Sequence, residues 1–113
     1  MTETESPFAC DMSAIAPEDR SAHLGTIEAL FRAVEEIREL TAGYAFRLPN
    51  DSETIVTAAQ FIALERLCCP FFGFGLEIER ESGAVWLSLT GREGVKPFVM
   101  AEIGEHLTQI RKQ

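Results

Sequence analysis

Apolar residues in this chain switch between two spacings, and the switching limits which secondary structures can form. Spacings of three and four residues are typical of a helix with one buried face, whereas strict alternation is typical of a half-buried strand. Helical spacing occurs early, in the middle and near the C-terminus, with alternating segments between. The sequence therefore predicts a mixed α+β domain. A length of 113 residues with 46% hydrophobic content suits one core of ordinary size.

The first predicted helix begins at Pro17 and ends near Gly43. Proline fits a first helical turn because the N–H that it lacks is not needed there, and glycine is a common helix stop. The predicted apolar stripe consists of Leu24, Ile27, Leu30, Phe31, Val34 and Ile37. Residues 1–12 are predicted to be a loosely ordered arm, and residues 13–113 a single α+β domain.

A strand and a second helix are predicted next. The alternating strand residues are Tyr44, Phe46 and Leu48. The helix begins after Asp51 or Ser52, which suit a helix cap. Its predicted apolar stripe consists of Ile55, Val56, Ala59, Ile62, Ala63 and Leu67. Pro70 disfavours helical geometry at the residue before it, so the helix should loosen at Cys68 and Cys69.

A hairpin and a third helix complete the prediction. The hairpin strands cover residues 72–78 and 85–90, and the apolar stripe of the last helix consists of Phe98, Val99, Ile103, Leu107 and Ile110. The order α-β-α-β-β-α predicts two layers, with a small three-stranded, mainly antiparallel sheet and helices on one face. A homodimer contact would cover the exposed sheet edge, with Gly73, Gly75 and Trp86 as candidate contact residues.

Charge and composition exclude several classes of partner. The net charge of −8 and the absence of a basic run disfavour nucleic acid, whose binding requires clustered Lys and Arg. The same sign disfavours an anionic membrane surface. No secretory signal and no membrane-spanning stretch is found in the sequence. We therefore expect a cytoplasmic protein whose thiols stay reduced and form no disulfide framework.

The densest cluster of reactive side chains lies at the end of the second helix. Glu65 precedes Cys68 and Cys69 by one helical turn. Cys10, brought back by the arm, would supply a third thiol, and His23 is a further candidate ligand. Three sulfurs suit a soft metal or metalloid ion such as zinc. The hypothesis is therefore a small binding domain for such an ion, or for another small ligand.

Other interpretations of the same residues stay open. Cys68 and Cys69 would also suit a thiol-dependent redox enzyme or sensor, in which Arg66 stabilises the thiolate or another anion. Buried cysteines are often passive core residues, which fits a dimeric interaction or structural domain. Glu65 and Arg66 also fit solvated helix charges. His23 also fits a surface or interface position.

Three strings resemble a family of small, uncharacterised bacterial proteins. They are residues 44–49, residues 86–96 and, most specifically, the Glu-Arg-x-Cys-Cys-Pro-Phe motif of residues 65–71. The resemblance covers nearly the whole chain. It implies a stand-alone bacterial domain without an assigned activity, and it draws attention to Glu65, Arg66, Cys68 and Cys69 without giving them roles.

Overall fold

A computed structural model describes residues 6–107 and confirms the α+β class. The helices are α1 (Pro17–Arg32), α2 (Ser52–Cys68) and α3 (Val95–Ile103), and the strands are β1 (Glu36–Leu40), β2 (Gly43–Leu48), β3 (Gly73–Ile78) and β4 (Val85–Thr90). Short 3-10 helices cover Met12–Ala14 and Gly104–His106. Ile110, predicted for the last helix, and the first five residues of the predicted arm lie outside the described residues.

Within residues 6–107, the sheet has four antiparallel strands in the order β1-β2-β4-β3, so the prediction of three strands is wrong. Within it, β4 pairs with both β2 and β3. The second helix connects β2 to β3, and β4 lies between these two strands. This arrangement places the C-terminal end of α2 at one end of the sheet, close to the start of β3.

The missed strand is β1, which the sequence analysis assigned to the end of the first helix. That helix ends at Arg32, and Val34 and Ile37 lie beyond it. The β1 sequence, Glu-Ile-Arg-Glu-Leu, consists mostly of good helix formers, and helical spacing continues into it. Its pairing with β2 is a tertiary contact that overrides this local preference.

The core lies between one face of the sheet and the three helices. Phe46 and Leu48 of β2 pair with Leu87 and Val85 of β4 and are buried with them. The helices contribute buried residues to the same cluster, namely Leu30, Phe31, Ala58, Phe61, Val95, Val99 and Ile103. Since paired residues share a face, all three helices cover one side of the sheet, as predicted.

Two helices turn different sides to the core than the sequence suggested. Leu24 of α1 is 55% exposed, whereas the neighbouring His23 is only 1% exposed. In α2, Val56 is 55% exposed, and the buried residues are Ala58, Phe61, Glu65 and Cys68. Because α2 carries apolar residues on several sides, spacing alone did not decide its buried face, and packing selected the side that includes Glu65.

The opposite face of the sheet carries Trp86, which lies out of phase with the core residues of β4, as predicted. Trp86 is 6% exposed, and its ring centroid lies 4.1 Å from the Arg38 guanidinium carbon, a cation–π contact. Gly75 faces Ser88 across the β3–β4 pair, so the segment that approaches this glycine is the neighbouring strand. Strands β1 and β3 form the two edges of the sheet.

None of the helices in residues 6–107 is long and apolar enough to cross a membrane.

Candidate thiol site

The end of α2 presents two neighbouring cysteines in different backbone conformations. Cys68 is the last helical residue, and Cys69 has left the helix, with φ −129° and ψ 68°. Pro70 explains this ending, because proline disfavours helical geometry at the residue before it. The loosening predicted at these cysteines is therefore confirmed. Consecutive helical side chains diverge by about 100°, and this break lets the two sulfurs approach each other to 3.7 Å.

The N-terminal segment docks onto the same helix end. The backbone N–H of Asp11 donates a 2.8 Å hydrogen bond to the carbonyl oxygen of Cys68, one of the α2 carbonyls that lack a helical partner. Ile15 is buried against Cys68 and Cys69. Earlier in the segment, Phe8 packs edge-on against Phe71 at a centroid distance of 5.2 Å. These contacts hold Cys10 beside α2. The boundary predicted at residue 12 stays a prediction.

Cys10 and Cys69 form a disulfide, contrary to the expectation that the thiols stay reduced. The bond spans a sequence separation of 59 residues and links the N-terminal segment to the end of α2. Docking of the arm through Asp11 and Ile15 brings Cys10 to Cys69. Cys68 stays a free, buried thiol next to the bridge.

Glu65 lies among the sulfurs as a buried carboxylate. One of its oxygens lies 3.3 Å from Cys69 Sγ, and the other lies 3.7 Å from Cys68 Sγ. The latter oxygen is also 2.8 Å from Nε2 of His23. Both residues are nearly inaccessible to solvent, at 7% for Glu65 and 1% for His23. Glu65 is therefore not a solvated helix charge, and His23 is not a surface residue.

His23 contacts the carboxylate of Glu65. Its Nε2 meets Glu65, and within residues 6–107 its buried Nδ1 has no hydrogen-bond partner. The ring also stacks on Phe61 at a centroid distance of 6.0 Å. The donor atoms that could share one ion come from Cys10, Glu65, Cys68 and Cys69, a set that does not include His23. The structure thus places His23 where it orients Glu65.

The electrostatics of the site oppose ionisation of the free thiol. Burial raises the pKa of Cys68 to about 12, and the negative charge of Glu65 and its hydrogen bond with the thiol act in the same direction. Arg66, predicted to stabilise a thiolate, is exposed and does not line the cleft beside Cys68. Cys68 therefore lacks the electropositive surroundings of a reactive cysteine.

A cleft opens beside the thiols. It has a volume of about 380 Å³ and is reached by Cys10, Cys68 and Glu65. Its other walls come from α1, the 3-10 helix at Met12 and the end of α3. The sequence analysis did not find the cleft, since no local pattern links α1 to residues 102–106. The exposed, apolar Leu24 indicates the cleft. This signal could be recognised only once the buried side of α1 was known.

Comparisons with protein-family models, curated proteins and solved structures find no match for this chain.

Proposed function

We propose that the reduced protein binds a soft metal or metalloid ion through Cys10, Cys68 and Cys69, with Glu65 as a further ligand. One observation carries the proposal. The three sulfurs and a Glu65 oxygen lie within 4.8 Å of one another, although Cys10 comes from a distant part of the chain. Thiolate sulfur is the protein ligand that soft ions prefer. The family resemblance, which the comparisons do not test, adds no role to these residues.

The separation of the sulfurs supports this proposal. Two thiolates on one tetrahedral zinc ion, each about 2.3 Å from the metal, lie about 3.8 Å apart. Cys68 Sγ and Cys69 Sγ are 3.7 Å apart before any ion is bound. Two adjacent cysteines within a helix diverge and could share an ion only with strain. This strain is absent because Cys69 lies outside the helix. Little reorganisation of α2 is needed to place both sulfurs on one ion.

Charge balance distinguishes between candidate ions. Three thiolates neutralise a trivalent centre such as arsenic(III), whereas with zinc they leave one negative charge. If Glu65 also binds, it adds one negative charge in either case. An uncompensated charge is costly in a buried site, and Cys68 and Cys69 are only 1% and 0% exposed. A trivalent metalloid therefore suits the three sulfurs better than zinc, which remains the alternative ion.

Binding through three thiols requires that the Cys10–Cys69 disulfide is first reduced. The test is native mass spectrometry and titration of phosphine-reduced protein with arsenite and with zinc. We expect one ion per chain, and no retention by the oxidised protein or by the variant Cys68→Ser, Cys69→Ser. If reduced protein retains neither ion above the level of that variant, the proposal is wrong.

A thiol–disulfide switch is a second candidate, favoured by the bridge itself. Cys68 Sγ lies 3.7 Å from Cys69 Sγ. Its attack on Cys69 would form a Cys68–Cys69 bond, release Cys10 as a thiolate and leave the Cys68 proton with a base. The raised pKa of Cys68 disfavours this step because the thiolate is the attacking form. Mapping of the disulfides after exposure to glutathione mixtures tests it, and persistence of only the Cys10–Cys69 pair would exclude exchange.

A dimeric interaction or structural domain with passive cysteines is the remaining alternative. The sheet edges β1 and β3 are where strand pairing between two copies would occur. Trp86 is largely covered by its own chain and offers little surface to a partner. The homodimer, the absence of nucleic-acid and membrane partners, and the cytoplasmic location all stay predictions.

A further inference from the structure

The cleft beside Cys68 is much larger than an ion requires. Its volume is about 380 Å³, whereas a water molecule in the liquid occupies about 30 Å³. Pockets that hold small organic ligands begin at about 300 Å³. A bare ion on the sulfurs would therefore leave most of this space unused.

The cleft has an apolar part and a polar part. Leu24 and Ile27 of α1 line it together with Met12 and Ile103, and its polar lining includes Glu28, Glu102, Glu105 and His106. Leu24 is 55% exposed, so a ligand group that covered it would gain the free energy of burying apolar surface. Cys10 and Cys68 line this cleft, whereas Cys69 does not line it and is fully buried.

We propose that the ligand is a soft metalloid or metal centre that carries an apolar organic group. The inference rests on the function proposed above and names its ligand class. The centre binds the sulfurs, and the organic group lies in the cleft against Leu24, Ile27 and Ile103. Because Cys10, Cys68 and four apolar residues line the same cleft, one compound with both properties can contact both groups, whereas an inorganic ion contacts only the sulfurs.

Phenylarsine oxide is a suitable probe for this class. Its arsenic(III) forms two As–S bonds with two thiols, the As–O double bond breaks, and the oxygen leaves as water with the two thiol protons. No atom is oxidised or reduced in this step. Cys10 and Cys68, which face the cleft, are the expected pair after reduction of the disulfide. Arsenite has the same metalloid without the phenyl group.

The experiment compares both arsenicals on the full, phosphine-reduced chain and on two matched variants. Leu24→Gln replaces one apolar residue of the cleft, and Val56→Gln changes an equally exposed residue, also 55% accessible, that does not line the cleft. We expect Leu24→Gln to weaken phenylarsine oxide binding about fivefold, the order of magnitude for losing one apolar contact. Arsenite binding should not change, and Leu24→Met should restore the phenyl affinity.

The outcomes separate this inference from the function on which it rests. If neither arsenical binds the reduced protein, the thiol site itself is refuted. If arsenite binds and Leu24→Gln affects phenylarsine oxide no more than Val56→Gln does, the ligand class is wrong and the ion site survives. Circular dichroism of both variants confirms that each is folded before the affinities are compared.

Discussion

At the residue scale, one carboxylate organises the site. Glu65 contacts Cys68, Cys69 and His23, and it is buried with all three. Its position results from helical geometry, which places residues three and four apart on one side of α2. The same geometry puts its negative charge next to the free thiol. This side of α2 therefore favours protonated sulfur until a positively charged centre displaces the proton.

Cys68 should alkylate slowly in the oxidised protein, where it is the free cysteine. With a pKa raised to about 12 by burial and then by Glu65, the thiolate fraction is about 0.1% at pH 9 and rises about tenfold per pH unit. Iodoacetamide labelling followed by mass spectrometry measures the rate against pH. Glu65→Gln should lower the midpoint because it removes the negative charge. A wild-type midpoint near the ordinary 9.0 would contradict this assignment.

Replacing His23 should destabilise the protein strongly. His23→Ala removes the 2.8 Å contact and leaves a buried Glu65 oxygen without its nitrogen partner, a change that costs about 1–3 kcal/mol for an unsatisfied buried polar group. Urea unfolding measures the loss. His106→Ala is the matched control, since its Nε2 lies 3.8 Å from a mostly exposed Glu105, and exposed pairs contribute at most about 1 kcal/mol. Equal losses of unfolding free energy in the two variants would show that the His23–Glu65 contact contributes no more to stability than an exposed pair does.

At the element scale, the end of α2 is a junction between segments. The helix supplies an unpaired carbonyl at Cys68, the N-terminal segment supplies the N–H of Asp11, and a disulfide joins the two segments. The apolar contact of Ile15 with Cys68 and Cys69 also stabilises the junction. Three kinds of interaction thus converge on one helix end, and two of them, the Asp11 hydrogen bond and the Ile15 contact, do not depend on the bridge.

Reduction of the disulfide should lower the free energy of unfolding. The bridge spans 59 residues, and loss of such a cross-link costs about 4 kcal/mol in the chain-entropy model. Denaturant unfolding with and without a phosphine measures the difference. Cys10→Ser lacks the bridge in both conditions and should not respond to the reductant. An identical response of wild type and Cys10→Ser would mean that the bridge is absent or does not stabilise the fold.

Gly43 is required where β2 meets β4. An added Cβ would overlap the backbone oxygen of Leu89, which cannot move without displacing the strand. We expect Gly43→Ala to destabilise the protein by about 2–3 kcal/mol, the upper range for overpacking. Gly25→Ala in α1 is the control. It meets no atom within 4 Å, so it should stabilise by about 0.5–1 kcal/mol through helix propensity. Thermal unfolding of both variants measures the two changes in stability. If Gly43→Ala leaves the stability unchanged, the close approach of β2 and β4 at this residue is refuted.

At the scale of the whole molecule, the thiol site depends on the complete fold. Its residues come from the N-terminal segment, α1 and α2, and the neighbouring cleft also uses the end of α3. Any ion held by Cys10 and Cys68 therefore links segments that separate on unfolding. An ion that binds the native state and not the unfolded state stabilises the native state by mass action.

Arsenite should raise the melting temperature of the reduced protein and leave that of the oxidised protein unchanged. At a ligand concentration one hundred times the dissociation constant, the stabilisation is about 2.7 kcal/mol. Differential scanning fluorimetry with arsenite measures the shift, and the reduced Cys68→Ser, Cys69→Ser variant is the control. A shift of equal size in the oxidised protein would point to binding outside the three thiols.

The sequence by itself determined the elements whose patterns are local. It predicted the α+β class, the β3–β4 hairpin with the outward phase of Trp86, and the loosening of α2 before Pro70. It also singled out Cys10, His23, Glu65, Cys68 and Cys69, which lie close together in the structure. These features depend on spacing and backbone preference within a few residues, which a sequence contains directly.

Only the tertiary structure decided which of those residues meet. The local preference of β1 is helical, and pairing with β2 made it a strand. The spacing of His23, Ile27, Leu30 and Phe31 is compatible with a buried stripe, yet a histidine there becomes recognisable only opposite Glu65, 42 positions away. Likewise, Cys10 meets Cys69 because the arm docks on α2. Contacts between distant segments depend on the packing of the whole chain, which local patterns do not encode.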